Sequence, residues 1–334
     1  MDKAAITDRA RGCLIGGAIG DALGYSVEFL SEDGIFSRYG KTGITDYEKV
    51  DGFAIFSDDT QMTLFTAEGL LLSGEVSPIR SVESCYLDWL KTQEGRKKVI
   101  PDYSRIATEP RLNADRAPGT TCLNALYSYK RGSVAEPING SKGCGGVMRV
   151  APVGLYLDGE PEEIGALAAE CAALTHGHTL GYASASVLAV AVNLLAIRGL
   201  PLKEAITSAL TVTELLFADK PHIDELGRIV RRAVELSENP PASDLEAIHS
   251  LGEGWVGEEA LAIAVYCALR YGESFEKAII AAANHKGDSD STAAICGNLL
   301  GAHLGFGAIP KRLVQPLELR ELITYMADAL VADK

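Results

Sequence analysis

The chain has no CxxC pair, almost no alternating runs of Val, Ile, Thr and Tyr, and no basic leader ahead of an apolar stretch. Each absence excludes something. The seven cysteines, at 13, 85, 122, 144, 171, 267 and 296, are odd in number and scattered, which argues against a disulfide framework and for a reducing, cytoplasmic setting. Strand-like composition is confined to a short piece around Val147–Leu155, too little to build a sheet. Apolar runs are broken by polar residues well short of the roughly 18 needed to cross a bilayer, so no membrane partner is expected. Positive charge is also scarce. Lys and Arg number 31 against 45 Asp and Glu, a formal charge of −14 that disfavours nucleic acid and favours cationic partners or bound metal ions. No GKS or GKT occurs, and Met148 stands where GxGxxG counted from Gly143 needs its third glycine, so neither standard nucleotide fingerprint is present.

What remains is helical periodicity. It predicts helices near 8–24, 60–73, 78–91, 120–130, 163–174, 180–198, 202–217, 222–237, 243–250, 257–271, 274–284, 291–304 and 317–331. No Ser/Gly/Pro-rich linker divides them, so a single all-α domain over residues 1–334 is expected. Two helices carry glycine every fourth residue: Gly12, Gly16, Gly20 and Gly24 in the first, Gly297, Gly301 and Gly305 near the end. A glycine inside a helix costs about 1 kcal/mol relative to alanine, so a row of them predicts close helix-to-helix packing.

Two clusters of acids and hydroxyls precede apolar helical runs: Ser57-Asp58-Asp59-Thr60 and Asp288-Ser289-Asp290-Ser291-Thr292. Capping explains one such residue at each helix start. It does not explain several, because adjacent carboxylates repel unless a cation offsets them. Counting Asp288 as position 1, an EF-hand would need Gly at Ala293 and Glu at Leu299, and it is rejected. Zinc lacks paired cysteines, and His176-Gly177-His178 has no further ligands nearby. Oxygen-rich clusters suit magnesium or manganese. Asp21 and Glu28 lie seven residues apart, on one face if the first helix continues. The stretch Asn139–Arg149, rich in glycine, would let backbone N–H groups approach an anion, and His176 stands between two helices as a cap or a ligand contact.

Taken together, GDALGYSVEF, FSDDTQM, SKGCGGVMRVAPVGL, THGHTLGYASA and HKGDSDSTAAICGNLLGAHLG resemble the ADP-ribosylglycohydrolase family in order and spacing. The resemblance implies an orthogonal helical bundle around two Mg²⁺ or Mn²⁺ ions, and release of ADP-ribose from modified side chains. By motif, Ser57, Asp58 and Asp59 would bind one ion, Asp290 would bridge, and Asp288 with Ser291 would bind the other. Glu28, Asp58, Asp59 and Asp290 would carry the catalysis. Ser141, Gly143, Gly145, Gly146 and His176 would line the ADP portion, and the loop around Thr120 would run near the phosphates. Lys142 stands where some members have an aromatic residue, Cys144 where they have asparagine, and Trp255 is a further pocket-wall residue by resemblance. The implied partner is an ADP-ribosylated protein or a small-molecule ADP-ribose conjugate, met by a monomer. Arginine is the expected linkage, closest to the arginine-directed members. Serine-linked or O-acetyl-ADP-ribose, a non-catalytic ADP-ribose-binding module and a nucleotide phosphohydrolase are the alternatives.

Overall fold

The computed structural model describes residues 1–74, 76–95 and 98–334, so Arg96 and Lys97 of the basic Arg96-Lys97-Lys98 run lie outside the described residues. Within these residues there are sixteen α-helices and one two-stranded antiparallel ribbon, Lys49–Val50 with Phe53–Ala54. The first half of the chain holds α1 (Lys3–Gly24), α2 (Glu32–Tyr39), α3 (Asp58–Leu71), α4 (Pro78–Thr92), α5 (Thr120–Tyr127), α6 (Ala151–Tyr156) and α7 (Pro161–Ala173). The second holds α8 (Thr179–Ala196), α9 (Leu202–Leu216), α10 (Ile223–Glu238), α11 (Asp244–Leu251), α12 (Gly257–Arg270) and α13 (Phe275–Ala283). It closes with α14 (Ser289–Leu304), α15 (Lys311–Val314) and α16 (Arg320–Leu330).

The all-α expectation holds, with three local corrections. Val147–Leu155 is not strand-like: its β-branched residues face a packed interior, and Pro152 sits in the first turn of α6, where its missing N–H costs nothing. Periodicity does not predict α2, which buries only Ile35, or α15, which is four residues long. The third correction concerns α8. It is 18 residues long and apolar enough by composition to cross a membrane, contrary to the reading of interrupted runs. Every residue of it is buried within the protein, so the apolar surround is other helices.

The glycine rows meet. A methyl group added at Gly12 would strike the carbonyl oxygen of Gly301, at Gly16 that of Gly297, at Gly20 that of Ala293 and at Gly24 that of Ser289. Helices α1 and α14 therefore run antiparallel with backbones in direct contact, and the C-terminal end of α1 lies beside the N-terminal end of α14. The stretch Asp102–Ile106 is tied down by buried acids. Asp88 accepts from the backbone N–H groups of Asp102, Tyr103 and Ser104 at 2.7–2.9 Å, and Glu68 accepts from those of Arg105 and Ile106 at 2.9 and 3.1 Å.

The seam makes a test. Alanine normally favours a helix over glycine, yet Gly297→Ala is expected to destabilise the protein by about 1–3 kcal/mol, because the methyl has only Gly16 backbone to displace. Gly140→Ala, with open space around the position, is expected to stay within about 0.5 kcal/mol of the parent. Urea unfolding of both variants checks the pair; equal stabilities would contradict the packing account.

Candidate active site

Helix α3 begins at the first acidic cluster. Ser57 is its N-cap, and the Ser57 hydroxyl accepts from the Asp59 N–H at 3.2 Å. Beneath it lies Asp21, wholly buried in α1, which accepts from the backbone N–H groups of Ser57 and Thr60 at 2.8 and 2.9 Å and from the Thr60 hydroxyl at 2.5 Å. Asp21 thus locks the start of α3 against α1. Asp58 is held from the other side, its backbone N–H on the Arg116 carbonyl at 3.0 Å and its Oδ2 accepting from Gly119 N–H at 3.3 Å.

Helix α14 begins at the second cluster with Asp288 as N-cap. The Ser291 N–H donates to Asp290 Oδ1 at 2.9 Å and to Asp288 Oδ1 at 3.3 Å. The Ser291 hydroxyl crosses to α3, donating to Asp59 Oδ2 at 2.9 Å, and this bond joins the two clusters. Glu28 completes them. Helix α1 stops at Gly24, so the one-face relation to Asp21 through a continued helix does not occur; a series of turns carries Glu28 over the cluster instead. Carboxylate oxygens of Glu28, Asp288 and Asp290 come within 4.8 Å of one another.

These groups floor a cleft of about 240 Å³. Its walls include Thr120, Gly143, Cys144, Gly145, His176 and Trp255. The glycine loop is fastened to the Trp255 segment by Cys144 N–H on the Trp255 carbonyl at 3.2 Å and Gly257 N–H on the Lys142 carbonyl at 2.8 Å. The Trp255 indole is partly exposed and stacks at 6.3 Å and 24° with exposed Phe29, the neighbour of Glu28. Lys142 pairs with Glu258 and is not a free cleft cation.

The electrostatics are lopsided. Burial, then the charge of Asp290, pushes Glu28 up to about 10 and Asp21 up to about 7. The same causes hold Asp58, Asp59 and Asp288 well above the usual carboxylate range. One oxygen each of Glu28 and Asp288 is buried without a hydrogen-bond partner. The nearby Arg116 is committed to Glu318 and to the Phe56 carbonyl. Converging acidic oxygens with unfilled bonds, and no free counter-charge among the described residues, are what a hard divalent cation fits.

The structure therefore brings Glu28, Asp58, Asp59, Asp288, Asp290, Ser291, Thr120, Gly143, Gly145 and His176 to one cleft. Ser57, Ser141 and Gly146 do not line it. Ser57 caps α3 from below, Ser141 bonds the cleft residue Thr121 through their hydroxyls at 3.1 Å, and Gly146 packs behind His176 against Ala172 and Gly181. The helix-cap alternative for His176 falls to His178, which caps α8 by accepting from Leu180 N–H at 3.1 Å. Sequence reasoning gave no task to Cys122 and Met148, which also line the cleft, or to Arg149 behind them. The available signal was a lone arginine inside the apolar run VMRVAPVGL.

Fold and cleft define an all-α protein with a buried acidic centre that could hold a cation. The chain belongs to the ADP-ribosylglycohydrolase family, whose profile matches residues 2–334. It is 26% identical to mouse ADP-ribosylhydrolase ARH3 over 96% of this chain and 90% of that one. It is 25% identical to the ADP-ribosyl-[dinitrogen reductase] glycohydrolase of Rhodospirillum rubrum over 99% and 98%. A solved structure described as an ADP-ribosylglycohydrolase-related protein complex matches with a TM-score of 0.67 at 26% identity, covering 98% of this chain and 99% of the other. The enzyme is accordingly a glycosidic-bond hydrolase.

The crowded acids set a pH dependence. Glu28 rises from 4.5 to about 10 and Asp21 from 3.8 to about 7 on folding, so the folded state binds more protons than the unfolded state across that range. Without cations, stability is therefore full at low pH and is lost as pH rises through the folded values. Thermal melts in chelator should show a lower Tm at about pH 8 than at about pH 5, and Mg²⁺ should raise Tm more at the higher pH. Asp290→Asn should reduce both effects. A Tm in chelator that climbs over this interval would contradict the reading.

Proposed function

We propose that this enzyme releases ADP-ribose from modified arginine side chains with two Mg²⁺ or Mn²⁺ ions at the acidic cluster. The observation that carries the reading is the convergence of Glu28, Asp288 and Asp290 oxygens on the floor of a glycine-walled cleft. Asp58 and Asp59 from α3, and Asp288, Asp290 and Ser291 from α14, would hold the ions, with Ser57 positioning Asp59. When bound, such ions supply a Lewis acid that fixes ribose hydroxyls and lowers the pKa of a water.

The side chains do the rest. Cleavage at the anomeric carbon passes through an oxocarbenium-like transition state, and the carboxylates of the floor stabilise its positive charge. Glu28 faces this floor with one oxygen free to hold or accept a proton, and it is the proposed proton carrier. Gly143 and Gly145 leave the wall thin enough for a diphosphate to reach it. An added methyl at Gly145 would press on His176 and Cys122.

Arginine is favoured by the cleft residue Trp255 and the ring that stacks on it. Trp255 and Phe29 present stacked, solvent-facing rings beside Glu28, and a guanidinium binds both aromatic faces and negative charge. Homogeneous substrates, each carrying one linkage, separate the alternatives. Release of ADP-ribose from arginine, lost on chelation, supports the reading; release from serine or acetate alone overturns the linkage. AMP or inorganic phosphate as product would indicate a phosphohydrolase, and no product a binding module. Glu28→Gln is expected to lower kcat by at least about a hundredfold with little change in KM, as measured by ADP-ribose release.

A further inference from the structure

Arg149 is wholly buried beneath the cleft wall, and among the described residues no carboxylate pairs with it. Its guanidinium lies over the Tyr86 ring at 4.5 Å, and Nη1 points to Cys122 Sγ and Met62 Sδ at 3.4 and 3.5 Å. Nη2 donates to the Cys171 carbonyl at 3.1 Å and to Thr175 Oγ1 at 2.7 Å. A guanidinium only donates, so Thr175 accepts from it and has one proton left to place. Three acceptors are in reach: His176 Nδ1 at 2.8 Å, the Ala172 carbonyl at a long 3.4 Å and the Cys122 sulfur, a weak acceptor. The short bond to the His176 nitrogen takes the proton. His176 Nδ1 is then an acceptor, and the ring proton of the neutral imidazole resides on Nε2.

The Nε2 edge faces the bare side-chain positions of Gly143 and Gly145 in the cleft wall and has no hydrogen-bond partner among the described residues. We propose that Arg149 and Thr175 are positioning residues that fix His176 as the Nε2–H tautomer, so that the cleft wall offers a permanent donor to an anionic oxygen, such as one of the diphosphate of ADP-ribose. The identity of that oxygen rests on the function proposed above; the tautomer does not. Burial, and then the Arg149 charge, also lowers His176 to about 3, which keeps the ring neutral at working pH.

The test uses the full chain with ¹⁵N-labelled histidine. Long-range ¹H–¹⁵N correlation, with His176 assigned by its loss in His176→Gln, reports which ring nitrogen is protonated without ligand. The parent and Thr175→Ser should show Nε2–H alone, and the near-isosteric Thr175→Val should show a mixed or reversed tautomer. Calorimetry with ADP-ribose should find binding about threefold to tenfold weaker in Thr175→Val, and within about twofold of the parent in Thr175→Ser. An Nδ1–H tautomer in the parent, or an unchanged tautomer in Thr175→Val, overturns the relay. If no form binds ADP-ribose while the tautomers behave as stated, the relay stands and the ligand assignment fails.

Discussion

The direct backbone contact of α1 with α14 is the constraint on which the site depends. Glycines four residues apart keep one face of each helix bare, and the two bare faces close on each other in antiparallel register from Gly12 against Gly301 to Gly24 against Ser289. The register determines the chemistry. Because Gly24 ends α1 beside the first turn of α14, the turns that follow bring Glu28 over Asp288 and Asp290. Asp21, one turn earlier, reaches sideways to the start of α3 and holds Asp58 and Asp59 in the same space. A shift of one helical turn along the seam, about 5.4 Å, would separate these groups. The intrinsic cost of glycine in a helix is offset by the dispersion contacts that the close approach permits.

The seam also forces an electrostatic conflict. Five carboxylates from three segments share a space largely closed to water, and burial and the charges of their neighbours both oppose ionisation of Glu28, Asp58, Asp59 and Asp288. Partial relief comes from the positive ends of α3 and α14, which converge on the cluster, and from the Gly119 amide. Each helix end contributes about 0.3–1 kcal/mol, too little for so many charges. Structure that conflicts with stability in this way is typical of a site built for something that is bound.

Much of this was legible in the chain. The paired hydroxyl-acid clusters, the glycine rows and the long amphipathic helices depend on neighbours along the sequence, and local pattern reveals them. Residues whose purpose is set by distant partners were less legible. Asp21 looks like one more acid until Ser57 and Thr60 are seen to bond it. Val147–Leu155 carries β-branched residues because it is buried, and tertiary packing overrides their preference for strands. Ser141 and Gly146 belong to the correct loop, yet only the path of the backbone decides which of its residues turn toward the cleft. Arg149 was visible as a charge in an apolar run, but its use depends on Thr175, 26 positions away.

That arginine resolves a difficulty in the proposed chemistry. A protein of net charge −14 must accept a doubly anionic diphosphate next to a carboxylate cluster. Net charge acts at long range and is screened by salt within about 8–10 Å, whereas fixed donors and buried charges act at contact. The cleft lining carries both kinds of group. Its carboxylates suit cations and a cationic transition state. The glycine backbone and His176 form part of the same wall, with Arg149 one layer behind, bonded to Thr175 and close to Cys122. Because no carboxylate among the described residues neutralises it and little water surrounds it, the Arg149 charge is felt through that wall. Burial, and then the same charge, keep a proton from adding to His176, so the wall presents a neutral donor that does not titrate near neutrality. The anion and the developing cation then each meet donors or charges set by side chains that are in place before the ligand arrives.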